Sequence, residues 1–465
     1  MNLKKIINNK KIVITTYLAS VFLLCGFVAI LIINPGNIFG YRAKADSKSK
    51  IISNFNETQE SQKTLSGNNI GNGSSKEVGT QTKEALSAPT ETLKLYPMKE
   101  DGTSKAFTRS NLLTPAEVSQ NPLTAIRGTV AANTKYGLTE FFSGSNTDEV
   151  TAQGAVYMRA EGVPMREFRN IPGYKIWPFP GFTRSGSGFI WFSVRRDNNK
   201  ESSVWMTNLD YNLQIQRELK LVGYPGWSFQ AQRILRLPDG SIVMPVTIVE
   251  TKNIYTGPGR LRVYRSKDNG KSWTQSDFRS YPGRGIMESQ PYVKKDGTVG
   301  IISRTNQGYL VESMYNPRTN FLSSAKATPF ISPSAAPSVV NLPNGRVALS
   351  YVPGFPKTSG SNLPRKIIVL AVTKDDFKSL EAVHILATAK SLGGDGINSY
   401  VHQPRLELHN NKVFVYFEQV NSATNISSWR LSQIAGPEST DGSLVISSSN
   451  MVDALKELAE MGTYY

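Results

Sequence analysis

The sequence predicts an all-β protein whose strands are arranged as a propeller, and two observations predict it. First, a hairpin of two apolar strands around a tight turn recurs along the chain. Its three clearest turns lie at Gly240, Gly297 and Gly345, which are 57 and 48 residues apart. Second, a turn motif with aspartate, glycine and tryptophan lies between two of these hairpins. A period of about 50 residues, with several short strands in each repeat, is typical of propeller blades.

The propeller is predicted to occupy residues 93–449. Residues 93–161 lead into it and offer room for one more blade. Each hairpin sheet is too small to bury both of its faces alone, so neighbouring sheets must stack on each other. Hairpins of the repeating form, of which the first is the weakest, start at Pro178, Phe229, Glu288, Ala335 and Tyr400.

The N-terminal residues predict a membrane anchor. Residues 1–11 carry four lysines, and the 22 residues of 12–33 contain no charged side chain. Such a run is long enough to cross a bilayer as a helix, and the positive-inside rule keeps the N-terminus cytoplasmic and the propeller extracellular. Residues 34–92, rich in Ser, Asn and Thr, are predicted to be a disordered linker. Alternatively, cleavage after Ala45 would give a secreted protein.

The sequence further predicts a C-terminal helix, no disulfide in the exported part and no metal site. Residues 450–465 are predicted to form a short amphipathic helix that packs as a tail. Cys25, the only cysteine, lies in the apolar run, so no disulfide is expected in the exported part. The three histidines are too few and too irregularly spaced to indicate a metal site, and no cofactor is expected.

The charge of the chain narrows the class of partner. A formal net charge of +17 favours an anionic partner or surface. The sequence has no zinc-finger spacing, no RNP-like motif and no P-loop, and its basic residues are scattered rather than gathered in a stripe. These observations argue against nucleic-acid binding.

The turn motif predicts a structural element. Residues 266–273, SKDNGKSW, fit the pattern S-x-D-x-G-x-x-W. Aspartate and glycine make the turn between two strands, the serine and aspartate side chains bond the local backbone, and the tryptophan packs the turn against the sheet. Weaker copies start at Thr207, Ser313 and Thr373, each after a hairpin.

This motif is similar to the Asp-box, and in phase with the hairpin repeat it resembles the sialidase superfamily, most closely its BNR-repeat branch of secreted bacterial propellers. The resemblance covers residues 166–432. It implies a six-bladed propeller with a site at one axial end. It also implies an exo-glycoside hydrolase that releases a terminal acidic sugar from extracellular glycans.

The resemblance implies three arginines that hold the carboxylate of the substrate, because a planar guanidinium can form two parallel bonds with a carboxylate. The matching positions are Arg169 in FRNIP, Arg304 at the end of the strand that follows Glu288, and Arg365 in LPRKIIV. Glu418 resembles the carboxylate that steadies the first arginine.

The resemblance also implies a tyrosine nucleophile and a glutamate that accepts its proton. Glu288 lies nine residues before Gly297, as the glutamate does in the family. Nine residues before Asn411, which replaces the turn glycine of the last hairpin, is His402, whereas Tyr400 lies two residues earlier. Tyr400 and His402 are therefore both candidates for the position of the nucleophile.

Three more residues complete the predicted site. Asp197 follows Arg169 at the distance that the resemblance implies for an acid and base. Trp177 and Trp227 lie in two aromatic loops that are expected to open on the same face. Their rings are candidates to stack on a sugar, and the alternative is that they pack between blades.

Two other functions are compatible with the same scaffold. A carbohydrate-binding propeller would keep the arginines and lack the nucleophile, so it would bind a glycan without turnover. A lyase acting on an acidic polysaccharide would use an arginine-lined groove with a tyrosine or histidine as base.

Overall fold

The computed structural model shows an all-β propeller with one C-terminal helix. The chain divides into two units, 1–47 and 48–465, and every described residue lies in the second. The predicted anchor at 12–33 and linker at 34–92 lie outside the described residues. In the described part, no helix combines the length and the apolar composition needed to cross a bilayer.

The structure describes residues 94–96, 107–109, 125–145, 155–160, 163–170, 175–185, 188–197, 201–230, 233–249, 258–285, 287–342, 345–356, 365–389, 399–409, 412–421, 426–434, 444–445 and 451–464.

The described strands form six sheets, which we number in chain order. Two short strands precede them, β1 (Lys94–Tyr96) and β2 (Phe107–Arg109). Sheet 1 contains β3 (Ala125–Thr134), β4 (Gly137–Ser145), β5 (Ala155–Ala160) and β6 (Val163–Asn170). Sheet 2 contains β7 (Lys175–Ser185), β8 (Gly188–Asp197), β9 (Glu201–Leu209) and β10 (Ile215–Pro225). Sheet 3 contains β11 (Trp227–Gln230), β12 (Leu235–Arg236), β13 (Ile242–Val249), β14 (Pro258–Ser266), β15 (Thr274–Gln275) and β16 (Arg279–Arg284).

The remaining three sheets follow the same antiparallel plan, except that β1 pairs parallel with β25 in sheet 5. Sheet 4 contains β17 (Met287–Val293), β18 (Val299–Arg304), β19 (Tyr309–Asn316), β20 (Phe321–Leu322) and β21 (Lys326–Ile331). Sheet 5 contains β22 (Ser338–Asn341), β23 (Val347–Tyr351), β24 (Ile367–Thr373), β25 (Ala382–Thr388), β1 and β29 (Leu444–Val445). Sheet 6 contains β26 (Ser399–His409), β27 (Lys412–Asn421), β28 (Ile426–Ile434) and β2.

Each sheet contacts the next one along the chain. β3 lies against β7, β11 against β8 and β9, β17 against β11 and β13, β22 against β17, and β26 against β22. β26 also contacts β3, so the last sheet touches the first. This circular order of small antiparallel sheets defines a propeller. The inner strands, through which neighbouring sheets touch, are therefore β3, β7, β11, β17, β22 and β26.

Early and late parts of the chain share two sheets. β2 pairs antiparallel with β28, and Thr108 lies opposite Gln433. β1 pairs parallel with β25, and Leu95 lies opposite Val383. The hairpin repeat did not predict these pairings because a strand of three residues carries too little pattern to be recognised.

The hydrophobic cores lie between neighbouring sheets. β24 has the sequence IIVLAVT, and each of its residues is buried because sheet 5 is covered on both faces. One core joins Ile302 and Leu310 of sheet 4 to Val369 and Val383 of sheet 5. Covering both faces explains why the hairpins show continuous apolar runs instead of an alternating pattern.

The turn at residues 266–273 has the structure that its motif predicts. Asp268 Oδ1 accepts the backbone N–H of Ser272 at 2.8 Å. Trp273 packs edge-on against Phe192 of sheet 2, with ring centroids 5.5 Å apart. The turn therefore fastens sheet 3 to its neighbour, and the residues of the motif act in the structure rather than in chemistry.

The weaker copy at Thr373 forms the same turn. Thr373 Oγ1 accepts the backbone N–H of Phe377 at 3.1 Å, and Asp375 Oδ1 accepts that of Ser379 at 2.8 Å. Phe377 replaces the glycine of the motif and has a left-handed φ of 64°, which costs a bulky residue about 1–2 kcal/mol. Its ring packs edge-on against Tyr292 with centroids 5.5 Å apart, and this packing offsets the backbone strain.

Asp375→Ala is expected to destabilise the fold by about 1–2 kcal/mol at neutral pH, because the variant loses hydrogen bonds to a charged acceptor. Burial raises the pKa of Asp375, but hydrogen bonds from Ser379 and Thr373 outweigh burial and hold the pKa below its ordinary range. A lowered pKa means that the stabilisation is present above the ordinary pKa and is lost as the pH falls through the lowered one.

Urea unfolding of Asp375→Ala and of the parent protein, at about pH 6 and about pH 2.5, measures this pH dependence. The difference in the free energy of unfolding between the two proteins should be smaller in acid. The control is Asp277→Ala, which removes an exposed carboxylate in another turn and should change little at either pH. A loss of stability of the same size at both pH values would contradict the prediction.

The C-terminal helix, α1 (Met451–Tyr464), confirms the helix predicted at that end of the chain. Leu455 and Leu458 are fully buried in the core that joins sheets 4 and 5. Gly462 approaches the backbone so closely that an added Cβ would lie 2.2 Å from the carbonyl oxygen of Pro353. The helix is therefore an integral part of the core.

Candidate functional site

Bulges interrupt the inner strands near the end at which the predicted site residues lie. In β17 two residues between Met287 and Gln290 face a single residue of β18. In β26 two residues between His402 and Arg405 face a single residue of β27. Bulges redirect side chains and are frequent beside functional sites.

Glu288 is the first residue of the bulge in β17, and it forms a buried ion pair. Its backbone is left-handed, with a φ of 47°. Its Oε2 lies 2.6 Å from Nη1 of Arg304, and the two residues are 1% and 8% exposed. A left-handed φ costs about 1–2 kcal/mol, and removing charges from water costs more. Residues that keep a strained backbone or a buried charge in spite of these energetic costs cluster at functional sites.

Ser334 joins Arg304 to Arg365. Arg304 Nε donates a hydrogen bond to Ser334 Oγ at 3.1 Å, and Arg365 Nη2 donates to the backbone oxygen of Ser334 at 2.8 Å. Ser334 Oγ in turn donates to Asn306 Oδ1 at 2.7 Å. Two of the three predicted arginines therefore meet at one residue.

Arg365 also contacts a histidine and, through it, a carboxylate. Its Nη1 lies 3.2 Å from Nδ1 of His402. Nε2 of the same imidazole lies 2.8 Å from Oε2 of Glu418. His402 and Glu418 are directly opposite each other in β26 and β27, so the sheet itself sets this pair.

Tyr400 lies at the margin of this group. Its ring centroid is 5.1 Å from that of His402, and the residue is half-buried. The structure thus brings six of the predicted site residues into one neighbourhood, linked by the contacts above or through Tyr400: Glu288, Arg304, Arg365, Tyr400, His402 and Glu418.

The bulge of β26 puts Gln403 in the place that Glu288 occupies in β17. Each is the first bulged residue, and Gln403 has a similar left-handed φ of 56°. Counting from the turn gave His402 instead because strand pairing continues to His409 and Lys412, which makes the last turn tighter than the one at Gly297.

The position equivalent to Glu288 therefore carries an amide. Gln403 is 2% exposed, and its Oε1 accepts a hydrogen bond from Arg405 Nη2 at 3.0 Å. An amide is a poor nucleophile, so this position does not supply the tyrosine chemistry that the resemblance implies. Tyr400 and His402 both lie before the bulge.

Three predicted residues have a described backbone only. Arg169 lies in β6, Asp197 is the last residue of β8, and Trp177 lies in the inner strand β7 beside a bulge. Their roles stay predictions.

Trp227 lies in the hydrophobic core between sheets 2 and 3, in one cluster with Tyr224 and Ile248. It is only 9% exposed, which favours packing between blades over stacking on a sugar. In the part of the chain that the structure describes, no group of three or more His, Cys, Asp or Glu side chains is placed to hold a metal ion.

Sequence reasoning missed Ser334, Asn306 and Gln403. Ser334 lies in the loop SPSAAPS before β22, and its left-handed φ of 55° gave no signal in a run of serines and prolines. Gln403 lies directly after His402, the residue that the count from the turn selected. The count from the turn missed it by one residue.

The fold and the repeated turns define a sialidase-like propeller with Asp-boxes. A family model described as the BNR repeat-like domain matches residues 190–427, just over half of the chain. The protein belongs to this family, which confirms the BNR-repeat branch to which the sequence was compared.

Several solved structures have similar folds. A protein of unknown function from Dyadobacter fermentans is 12% identical, with a TM-score of 0.51, over 74% of this chain and 99% of that one. Trypanosoma rangeli sialidase in complex with the inhibitor DANA is 10% identical, with a TM-score of 0.49, over 74% of this chain and 58% of that one. At these identities the likeness concerns the fold alone. A comparison with curated proteins finds no match.

Proposed function

We propose that this protein is a sialidase-like exo-glycoside hydrolase that acts on glycans ending in an acidic sugar, and that its six sheets are the six blades of one ring. The observation that carries the proposal is the meeting of Arg304 and Arg365 at Ser334. Two guanidinium groups anchored on one residue can grip a single carboxylate, because each offers parallel N–H donors.

The neighbouring groups suit proton transfer. Glu288 is the proposed base, and Arg304 holds its carboxylate in position. His402 lies beside Arg365 and is backed by Glu418. An imidazole is the side chain best able to exchange a proton near neutral pH. Tyr400 is kept as the proposed nucleophile and Asp197 as the proposed acid.

The test uses fluorogenic glycosides in matched pairs, a sialoside and a uronide, each beside its methyl ester. The parent protein should hydrolyse at least one acid and leave its ester intact, since the ester removes the charge that the arginines recognise. Arg365→Ala should lower kcat/KM for that acid about 100-fold, because it removes a charged partner of the substrate.

Arg318→Ala is the matched control. Arg318 is exposed and lies just after β19, beyond the end of sheet 4 that is opposite to Arg304. This variant should keep the parent kcat/KM. Hydrolysis of an ester as fast as its acid, or full activity of Arg365→Ala, would contradict the proposed site.

A carbohydrate-binding propeller without turnover is the second candidate, and Gln403 favours it. This glutamine occupies the bulge position equivalent to that of Glu288 and offers no nucleophile. The same panel separates the two functions. Saturable binding of the acid and not of its ester, with no hydrolysis between about pH 4 and pH 9, would favour binding alone.

We also propose that residues 12–33 anchor the protein with its propeller outside the cell. Protease added to intact cells should then remove the propeller, and a variant lacking residues 1–33 should be protected. A protected full-length protein would contradict this location.

A further inference from the structure

The contacts of His402 fix where its proton resides. Nδ1 lies 3.2 Å from Arg365 Nη1, and a guanidinium can only donate. Nδ1 must therefore accept, which makes the imidazole neutral with its proton on Nε2. The Nε2 nitrogen lies 2.8 Å from Oε2 of Glu418, so a carboxylate is placed directly beside it. In this arrangement one N–H of Arg365 is used by the imidazole.

Among the residues that the structure describes, the charged and titratable groups placed around His402 come from three elements. Arg365 approaches from the segment before β24, and Glu418 from β27. Tyr400 and Arg405 lie on β26 itself. The guanidinium of Arg405 donates to Gln403 Oε1 and to the Pro404 backbone oxygen.

A bound carboxylate would change both the hydrogen bond of Arg365 and the protonation of His402. Arg365 would turn its N–H from Nδ1 to the carboxylate, because a full negative charge attracts a guanidinium more strongly than a neutral imidazole nitrogen does. Nδ1 would then face a new negative charge, while Glu418 stays beside Nε2. An imidazole between two carboxylates favours its cationic form.

We propose that His402 takes up one proton from solvent when the site binds a sugar carboxylate, so that the ligand is held by two arginines and an imidazolium. The proton adds to Nδ1, the hydrogen bond of Arg365 passes to the ligand, and no covalent bond changes. The inference rests on the proposed function, because it requires that Arg304 and Arg365 hold a carboxylate. It makes His402 a specificity residue for acids.

Proton uptake on binding can be measured directly. Free sialic acid and free glucuronic acid are titrated calorimetrically into the full chain, each in several buffers with different ionisation enthalpies. An ordinary imidazole has a pKa of about 6.5. Above that pH, uptake should approach one proton per bound acid, and affinity should fall by up to about tenfold per pH unit as the pH rises.

His402→Gln is the informative variant. Its amide oxygen can accept from Arg365 and its amide N–H can donate to Glu418, but it cannot take up a proton. It should bind the acid with no buffer-dependent heat and a nearly flat pH profile. His409→Gln, at the far end of the same strand, is the matched control and should behave as the parent does.

Three outcomes would overturn the proposal, and they are distinguishable. Binding of an acid by the parent without proton uptake contradicts the role of His402 and leaves the proposed function standing. Proton uptake that persists in His402→Gln assigns the proton to another group. Failure of both acids to bind at any pH removes the proposed function together with this inference.

Discussion

Glu288→Ala is expected to abolish turnover and to lower the free energy of unfolding by about 3–5 kcal/mol. The variant removes the proposed base and leaves the Arg304 guanidinium, 8% exposed, without its carboxylate partner at 2.6 Å. Breaking one side of a buried ion pair costs more than the pair contributes, because a desolvated charge remains. Urea unfolding and the glycoside panel measure the two effects separately.

Two further variants separate chemistry from stability. Glu288→Gln keeps an acceptor for Arg304 and should be less destabilised than Glu288→Ala while remaining inactive. The double variant Glu288→Ala/Arg304→Ala should recover part of the lost stability, since neither charge is then buried alone. An active Glu288→Gln would refute the role of this residue as a base. Additive losses in the double variant would refute the coupling of the pair.

Leu458→Ala is expected to cost about 2–5 kcal/mol, the range for deleting a fully buried leucine. Leu458 is 0% exposed in the core shared by α1 and sheets 4 and 5. Few neighbouring side chains can move into the cavity that the shorter side chain leaves, because Gly462 lies close against Pro353 and holds the end of the helix in place. The midpoint of urea unfolding measures the loss.

Val452→Ala is the control for Leu458→Ala, since Val452 is on the same helix and 38% exposed. It should change stability by less than about 0.5 kcal/mol. A small loss for Leu458→Ala would mean that α1 is a detachable tail and not an integral part of the core.

The positions of Glu288 and Arg304 could be carried over from the family that the sequence resembles, because they depend on the spacing within one hairpin. A turn glycine and two apolar strands fix which residues lie at the open end of the hairpin, and local spacing is all that is required. The same reasoning gave the structural turn at 266–273 and its copy at Thr373, whose hydrogen bonds join residues at most four positions apart.

Counting residues back from the turn failed in the last hairpin, because only the tertiary structure shows how many residues lie between the turn and the site. In the last hairpin strand pairing continues to His409 and Lys412, and this tighter turn moved the position equivalent to Glu288 from His402 to Gln403. How far two strands stay paired before they turn is set by the geometry of the turn and by packing on neighbouring sheets, so the count of residues from the turn could not reveal it.

The sequence by itself determined the class of fold, since a repeating hairpin that cannot bury both faces must stack into a ring. Through the resemblance that its motifs carry, the sequence also indicated most of the charged residues of the candidate site. Only the tertiary structure decided which of them touch: Ser334 joins two arginines from different sheets, and His402 is shared between Arg365 and Glu418. These contacts link residues 16 to 37 positions apart, and their geometry exists only once the sheets have packed.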